Sequence, residues 1–281
     1  MLTLVMDHHT ISFEPAEVIA GSCAGLAEHL VMFPFDTLKT RMQNEGGALT
    51  SHVRQIIRHE KWTHFYRGCV PTIAAAVPAH GVYFALYEAV KRFATDDGSV
   101  QGVALAAACA TAGHDAVSVP FDVVKQRMQV DGKMQYNSSL ECVRSIVARE
   151  GPSVLFRSLP ATIALNVPHF TTHWIVYETI KRYLIGPDEV EDEHATNFVL
   201  AGLTAGACAA VITTPLDHIK TQLQLGRTMN VAQTIRFVLA ERGLRGFWVG
   251  VAPRVCQMAP SAAIVMTTYE TVKGFLVKLP Q

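Results

Sequence analysis

One ten-residue pattern occurs three times in this chain of 281 residues. Pro34-Phe-Asp36-Thr-Leu-Lys39-Thr-Arg41-Met-Gln43 returns as Pro120-Phe-Asp122-Val-Val-Lys125-Gln-Arg127-Met-Gln129. It returns again as Pro215-Leu-Asp217-His-Ile-Lys220-Thr-Gln222-Leu-Gln224. A second motif follows each copy, 53, 57 and 54 residues after its Pro: Tyr87-Glu88-x-x-Lys91, Tyr177-Glu178-x-x-Lys181 and Tyr269-Glu270-x-x-Lys273. Between the two lies a third landmark: Glu60 with Phe65-Tyr66-Arg67-Gly68, Glu150-Gly151 with Phe156-Arg157-Ser158, and Glu241 and Gly243 with Phe247-Trp248-Val249-Gly250. Nine motif copies in one order mark a repeat architecture, in which one unit is copied and the copies pack together. The unit reads as a long helix, a polar segment with a short amphipathic helix, and a second long helix. The periodicity predicts long helices near 16–42, 71–93, 100–129, 159–183, 195–224 and 250–277, and short ones near 50–59, 137–149 and 229–241. A Pro inside each odd-numbered long helix predicts a kink. Small residues at Gly21-x-x-x-Gly25 and Gly202-x-x-x-Gly206 predict close helix packing. The expected organisation is a single all-α domain over 1–281, with repeats at about 14–95, 98–185 and 194–279.

Charge decides what surrounds these helices. Charged residues make up only 17% of the chain, against about 25% in a soluble domain, too few for a large solvated surface. The 24 Lys and Arg balance the 24 Asp and Glu, which argues against a nucleic-acid partner and against an acidic disordered tail. No window offers about 20 clean apolar residues. The most apolar stretches carry Glu28 and His29, or His114 and Asp115. Such helices either sit inside a soluble protein or cross a membrane with one face on water. Segments 44–67, 130–157 and 225–249 hold four Lys/Arg each, whereas the linkers 94–99 and 184–195 hold none. By the positive-inside rule the three long loops share the inner face, and both termini and both linkers share the other. The membrane reading follows. The six Cys lack any C-x-x-C spacing and read as packing residues, not as a disulfide or zinc framework. The opening MLTLVMDHHT predicts no cleaved secretory signal and no transit peptide.

The whole chain resembles the mitochondrial carrier family. That family repeats P-x-[DE]-x-x-[KR]-x-[KR]-x-Q, an aromatic–basic–Gly element and [FY]-[DE]-x-x-[KR]. The resemblance implies six transmembrane helices in three pseudo-symmetric repeats around a water-filled cavity, with short matrix-side amphipathic helices. It places the protein in the mitochondrial inner membrane as a multi-pass functional monomer, termini toward the intermembrane space, with cardiolipin as lipid partner. Gln222 stands where the second basic residue is usual, Lys61 and Ser158 where Gly is, and Val249 where a basic residue is. A narrower resemblance, to iron-importing members, rests on residues 20–43, on the stretch around 75–88, on Leu165-Asn-Val-Pro-His-Phe170 and on Thr213-Thr-Pro-Leu-Asp-His-Ile-Lys-Thr221.

An unpaired charge among membrane helices is costly, so the repeated Asp and Lys should pair or face water. The resemblance implies a matrix gate of Asp36–Lys125, Asp122–Lys220 and Asp217–Lys39, braced by Gln43, Gln129 and Gln224. It implies a cytoplasmic gate of Glu88–Lys181, Glu178–Lys273 and Glu270–Lys91, with Tyr87, Tyr177 and Tyr269 beside it. Gates that close in turn give alternating access, and each must be weak enough for substrate to tip it.

Departures from threefold symmetry point to the cargo, because gates repeat and cargo does not. Six and five residues before each motif Pro lie Glu28-His29, His114-Asp115 and Ala209-Ala210, and two before the first lies Met32. At the positions where the family contacts substrate stand Ala75-Ala76, Leu165-Asn166 and Gln257-Met258, with His80 further along the second helix. None is Lys or Arg, so a large anion would lack the cationic partner it needs. His29, His80, Asn166, Gln257 and Met258, with Glu28, Met32, His114 and Asp115, suit a divalent transition metal. The expected cargo is iron(II), with no permanently bound cofactor. Another divalent metal, a neutral or zwitterionic metabolite and a nucleotide-type cofactor remain alternatives. A lone helical His is more often a packing residue than a ligand, and neighbours Glu28 and His29 point about 100° apart. H-E-x-x-H and a Gly-rich phosphate loop are both missing, so no enzyme activity is predicted.

Overall fold

A computed structural model describes residues 15–94, 100–130, 136–185 and 195–277. Among them there is no strand. Six helices are long: α1 (Pro15–Glu45), α3 (Cys69–Ala94), α4 (Val100–Val130), α6 (Leu159–Ile185), α7 (Ala195–Gln224) and α9 (Val251–Val277). Three are short: α2 (Leu49–His59), α5 (Ser139–Glu150) and α8 (Val231–Arg242). Each short helix leads into a five-residue 3₁₀ turn, Trp62–Tyr66, Pro152–Phe156 or Leu244–Trp248. The order long–short–turn–long therefore occurs three times.

By length and composition, three stretches among the described residues are apolar enough to cross a membrane: Trp62–Phe93, Asn197–Gln224 and Leu244–Tyr269. The other long helices, α1, α4 and α6, have 31, 31 and 27 residues, enough for a bilayer core of about 30 Å at 1.5 Å per residue. Their polar residues, such as Glu28, His114 and Asn166, lower their mean hydropathy. Large apolar side chains also stand outward, Val77 at 81% and Val167 at 67% exposure, as suits surfaces that meet lipid instead of water.

The chain divides into two compact units. One contains residues 37–168 and 213–251. Its core is three small clusters, one per repeat, each packing a short helix and its turn against the end of a long helix. Leu38 meets Ile56 and Phe65; Val123, Val124 and Met128 meet Cys142, Ile146 and Val154; Ile219 and Leu223 meet Val238 and Phe247. A fourth cluster sets Tyr87 of α3 against Ala106 and Ala110 of α4, where small residues admit the ring.

The other unit contains the described parts of 1–36, 169–212 and 252–281. Here α7 meets α9 backbone to backbone. A Cβ on Gly206 would stand 2.7 Å from the Met258 carbonyl oxygen, so only glycine fits. The Gly21-x-x-x-Gly25 expectation is corrected: beyond the helix's own backbone and the adjoining residues, nothing described lies within 4 Å of where a Cβ would stand on either residue. Close approach in this unit is carried by Gly206. The packing expectation for cysteine holds for buried Cys142 and fails for exposed Cys23 and Cys256.

Candidate gates and cargo site

After the motif Pro, two of the charged positions pair with a neighbouring repeat. Lys39 Nζ lies 3.2 Å from Asp217 Oδ2 and 3.3 Å from Oδ1. Both side chains are under a tenth exposed. Lys220 Nζ lies 3.1 Å from Asp122 Oδ2 in a wetter setting, at 16% and 30% exposure. The Gln43 amide donates to Asp217 Oδ2 at 2.9 Å, and Gln129 donates to Thr37 Oγ1 at 3.3 Å. The buried Gln224 amide has no hydrogen-bond partner among the described residues. Asp36 is buried and accepts from Gln257 Nε2 at 3.3 Å, so a candidate cargo residue of α9 reaches a charged motif residue of α1. Lys125 is half-buried.

Residues the sequence marks only as motif landmarks tie the short helices to this end. Arg41 holds Glu60 through both carboxylate oxygens at 2.8 and 2.9 Å, and His64 Nδ1 donates to Glu60 at 2.5 Å. Arg127 grips Glu150 in the same two-pronged way. Burial raises the Glu60 pKa, but the Arg41 and His64 hydrogen bonds and charges outweigh it and hold the carboxyl below its usual range. The Arg127 bond does the same for Glu150 against a smaller burial effect. The signal for these pairs is the recurrence of Arg and Glu in the first two repeats. A linear pattern does not say which landmarks touch, so the pairing emerges only in the fold.

Of the candidate cargo residues, four cluster on α3, α4 and α6. Asn166 Nδ2 donates to Asp115 Oδ2 at 2.6 Å. His114 Nδ1 is 3.5 Å from Asp115 Oδ1, and the His114 and His80 rings meet edge to face with centroids 5.3 Å apart. His80 Nδ1 lies 2.7 Å from the Ala76 carbonyl. A carbonyl only accepts, so Nδ1 carries a proton, and in the neutral ring Nε2 is left with the lone pair. Elsewhere, Glu28 accepts from Ser261 Oγ, which ties α1 to α9. His29 is exposed, Met32 buried and Met258 half-buried. Among the described residues, no three His, Cys, Asp or Glu side chains are arranged to hold a metal.

At the other motif, Lys91 Nζ sits 5.8 Å from the centre of the buried Tyr87 ring, and Lys181 Nζ 5.3 Å from that of Phe198. Rings at such distances attract the ammonium groups. Tyr177 stacks on His173 and meets Trp174 edge-on. Glu88, Glu178 and Tyr269 are half-buried. The Glu270 and Lys273 side chains lie outside those described.

Paired charges on repeated helices, with apolar surfaces outward, suit a membrane transporter. The family model for mitochondrial carrier proteins matches three times, over residues 13–98, 96–188 and 191–279. The chain belongs to the mitochondrial carrier family. It is thus an all-α, multi-pass transporter of the mitochondrial inner membrane and not an enzyme. Its relatives include mitoferrin of Caenorhabditis briggsae, 35% identical over 93% of this chain and 92% of that protein. Human mitoferrin-1 is 35% identical over 92% of this chain and 82% of its own length. The yeast mitochondrial RNA-splicing protein MRS3, from Saccharomyces cerevisiae, is 33% identical over 92% of this chain and 88% of its own.

Proposed function

We propose that this carrier imports iron(II) into the mitochondrial matrix by alternating access between two charged gates. The observation that carries this reading is the cluster of His80, His114, Asp115 and Asn166. It offers imidazole and carboxylate ligands and no Lys or Arg, a donor set suited to a divalent transition metal and unsuited to an anion. The free Nε2 of His80 is the ligand atom, and Asn166 orients Asp115 from outside, as the partners of metal ligands do. A transport site has to release what it captures, so a partial ligand set completed by water serves better than a closed cage. By residue type alone, His29, Gln257, Met258, Glu28 and Met32 of the other unit are further candidate contacts. The names of the mitoferrin relatives support the same cargo.

In this reading the Asp36/Asp122/Asp217 ring with Lys39, Lys125 and Lys220 closes toward the matrix. The Glu88/Glu178/Glu270 ring with Lys91, Lys181 and Lys273 closes toward the intermembrane space. The four basic residues in each long loop support a matrix side for those loops and an affinity there for anionic lipid such as cardiolipin. Three repeats within one chain carry the whole cycle, so a monomer suffices.

The test is iron(II) uptake by the purified protein in liposomes, with manganese(II) and labelled neutral metabolites as separate arms. His80→Ala and Asp115→Asn should each lower iron(II) uptake by about tenfold or more, with His29→Ala in the same direction and the folded state retained. Wild-type uptake in all three would reject the site. Metabolite uptake without iron uptake would replace the cargo.

A further inference from the structure

The third repeat handles one of its charges differently. Two residues before each 3₁₀ turn stand Glu60, Glu150 and, in the third repeat, Arg242. Seven residues after each motif Pro stand Arg41, Arg127 and Gln222. In the first two repeats the arginine on the long helix grips the glutamate at the end of the short one. In the third, both members of the pair are exchanged. The long helix has lost its guanidinium, and the end of the short helix has gained one in place of a carboxylate.

The first two arginines have another bond. Arg41 Nε donates to the Gln129 carbonyl at 2.9 Å, and Arg127 Nε donates to the Gln224 carbonyl at 3.1 Å. Each thus holds the motif-closing Gln of the next repeat. The third such carbonyl, that of Gln43, belongs to the first repeat. It accepts from Gln222 Nε2 at 2.7 Å and from Arg242 Nη1 at 3.1 Å. Arg242 Nη2 also reaches the Asn44 carbonyl at 3.0 Å, so its fork spans two carbonyls in the last turn of α1. A helix C-terminus presents unpaired carbonyls and a partial negative charge, which a cation satisfies. Glu241, 3.5 Å from Arg242 Nε, shares the charge from the side.

We propose that Arg242 is a positioning residue that closes this clasp between the third and first repeats, and that Gln222 and Arg242 are a matched pair. The guanidinium has been transposed from the long helix to the short one, and the neutral Gln222 is what makes room for it. Gln222 is 1% exposed. A second guanidinium there, with Arg242 on the same carbonyl and Glu60's counterpart missing, would be a buried cation with no carboxylate of its own. With a carboxylate at 242, the same arginine would find the arrangement that Arg41 has with Glu60.

The test uses the full-length carrier with Q222R, R242E and Q222R/R242E. Thermal unfolding of the purified protein and iron(II) uptake in liposomes are both read. Each of Q222R and R242E should lower uptake by about tenfold, the scale of one charged hydrogen bond, and lower the unfolding midpoint. Q222R/R242E should recover both toward wild type. The decisive comparison is the sign of Q222R. It lowers the midpoint in the wild-type background and raises it in R242E, where the introduced guanidinium reaches the Gln43 carbonyl and finds a carboxylate at 242. A merely structural Arg242 gives the same sign in both backgrounds, and that result overturns the proposal. So does a double variant that loses as much as the two single losses combined. The midpoint does not depend on the cargo, so a protein that proved unable to carry iron(II) would leave this comparison intact.

Discussion

Glu60 is a carboxylate pulled two ways. Burial works against its charge, and Arg41 and His64 more than compensate, so its pKa falls below the ordinary 4.5. A group lowered in the folded state contributes stability above its unfolded pKa, and that contribution is lost as pH falls through the folded value. The Arg41–Glu60 clasp should therefore be intact at neutral pH and fail on acidification below the usual carboxylate range. Thermal midpoints measured from pH 7 down to about 3 test this. Glu60→Gln should start lower at neutral pH and lose less on acidification than wild type. Glu150→Gln should follow the same pattern with smaller amplitude, because the Glu150 side chain is 31% exposed and solvent screens it. Parallel curves for wild type and Glu60→Gln would show that the clasp contributes nothing. The same scale shows where linear reading stops. Neighbours Glu28 and His29 have to point apart, but only the packed α9 makes Ser261 the partner of Glu28. Likewise, Asp115 and Asn166 are both visible as asymmetric residues, yet their 2.6 Å bond depends on how α4 and α6 are rotated.

The helices themselves are legible because their ends carry local chemistry. Ser138 caps α5 by accepting from the Glu141 amide at 3.2 Å, and Asn230 caps α8 by accepting from the Gln233 amide at 2.9 Å. Both helices stop on a left-handed glycine, Gly151 at φ 83° and Gly243 at φ 64°. The repeat departures have matching structural results. Lys61 replaces that glycine in the first repeat, and α2 instead ends on an extended Glu60 at φ −121°. Arg67 and Val249 are extended, at ψ 125° and 127°, before the positive-φ Gly68 and Gly250, the order of a type II turn. Ser158 resists a positive φ, and Arg157 before it is helical, at φ −56° and ψ −34°. Of the three short helices, α2 lacks a side-chain cap: at its start, Ala48 has the extended backbone of a cap residue but no side-chain hydrogen bond. Ala48→Ser should stabilise the protein by about 0.5–1 kcal/mol, and Asn230→Ala should cost about 1 kcal/mol. Thermal midpoints moving in opposite directions would bear this out; an unchanged midpoint in both would mean that these ends do not limit unfolding. Caps, turns and period act within a few residues. The bonds that join repeats, such as Lys39 to Asp217, link positions 178 apart, and no local pattern encodes them.

For the molecule as a transporter that works by the proposed alternating access, the question is which closure is hardest to open. To move a two-state equilibrium from one extreme to the other takes about 5.5 kcal/mol of differential binding, so a gate much stronger than that would stay shut. The two described ion pairs after the motif Pro are not equal. Lys39–Asp217 is buried and braced by Gln43, whereas Lys220–Asp122 is partly solvated. Removing one partner of a buried pair strands the other charge, at a cost of about 3–5 kcal/mol, while an exposed pair is worth about 0–1 kcal/mol. Lys39→Ala should therefore reduce uptake in liposomes far more than Lys220→Ala. The reciprocal change Lys39→Asp with Asp217→Lys keeps the pair but reverses it, and should restore much of the loss. Gln43 decides how much. Its Nε2 donates to Asp217, and an ammonium group in that place would offer no acceptor. However, Gln43 Oε1 has no hydrogen-bond partner among the described residues, so rotating the amide by half a turn presents an acceptor to the new ammonium at no loss elsewhere. Gln43→Leu removes that option, and the reversed pair should then recover less. A reversed pair no better than the worse single variant, with Gln43 present, would mean that the ion pair is not what holds this end closed.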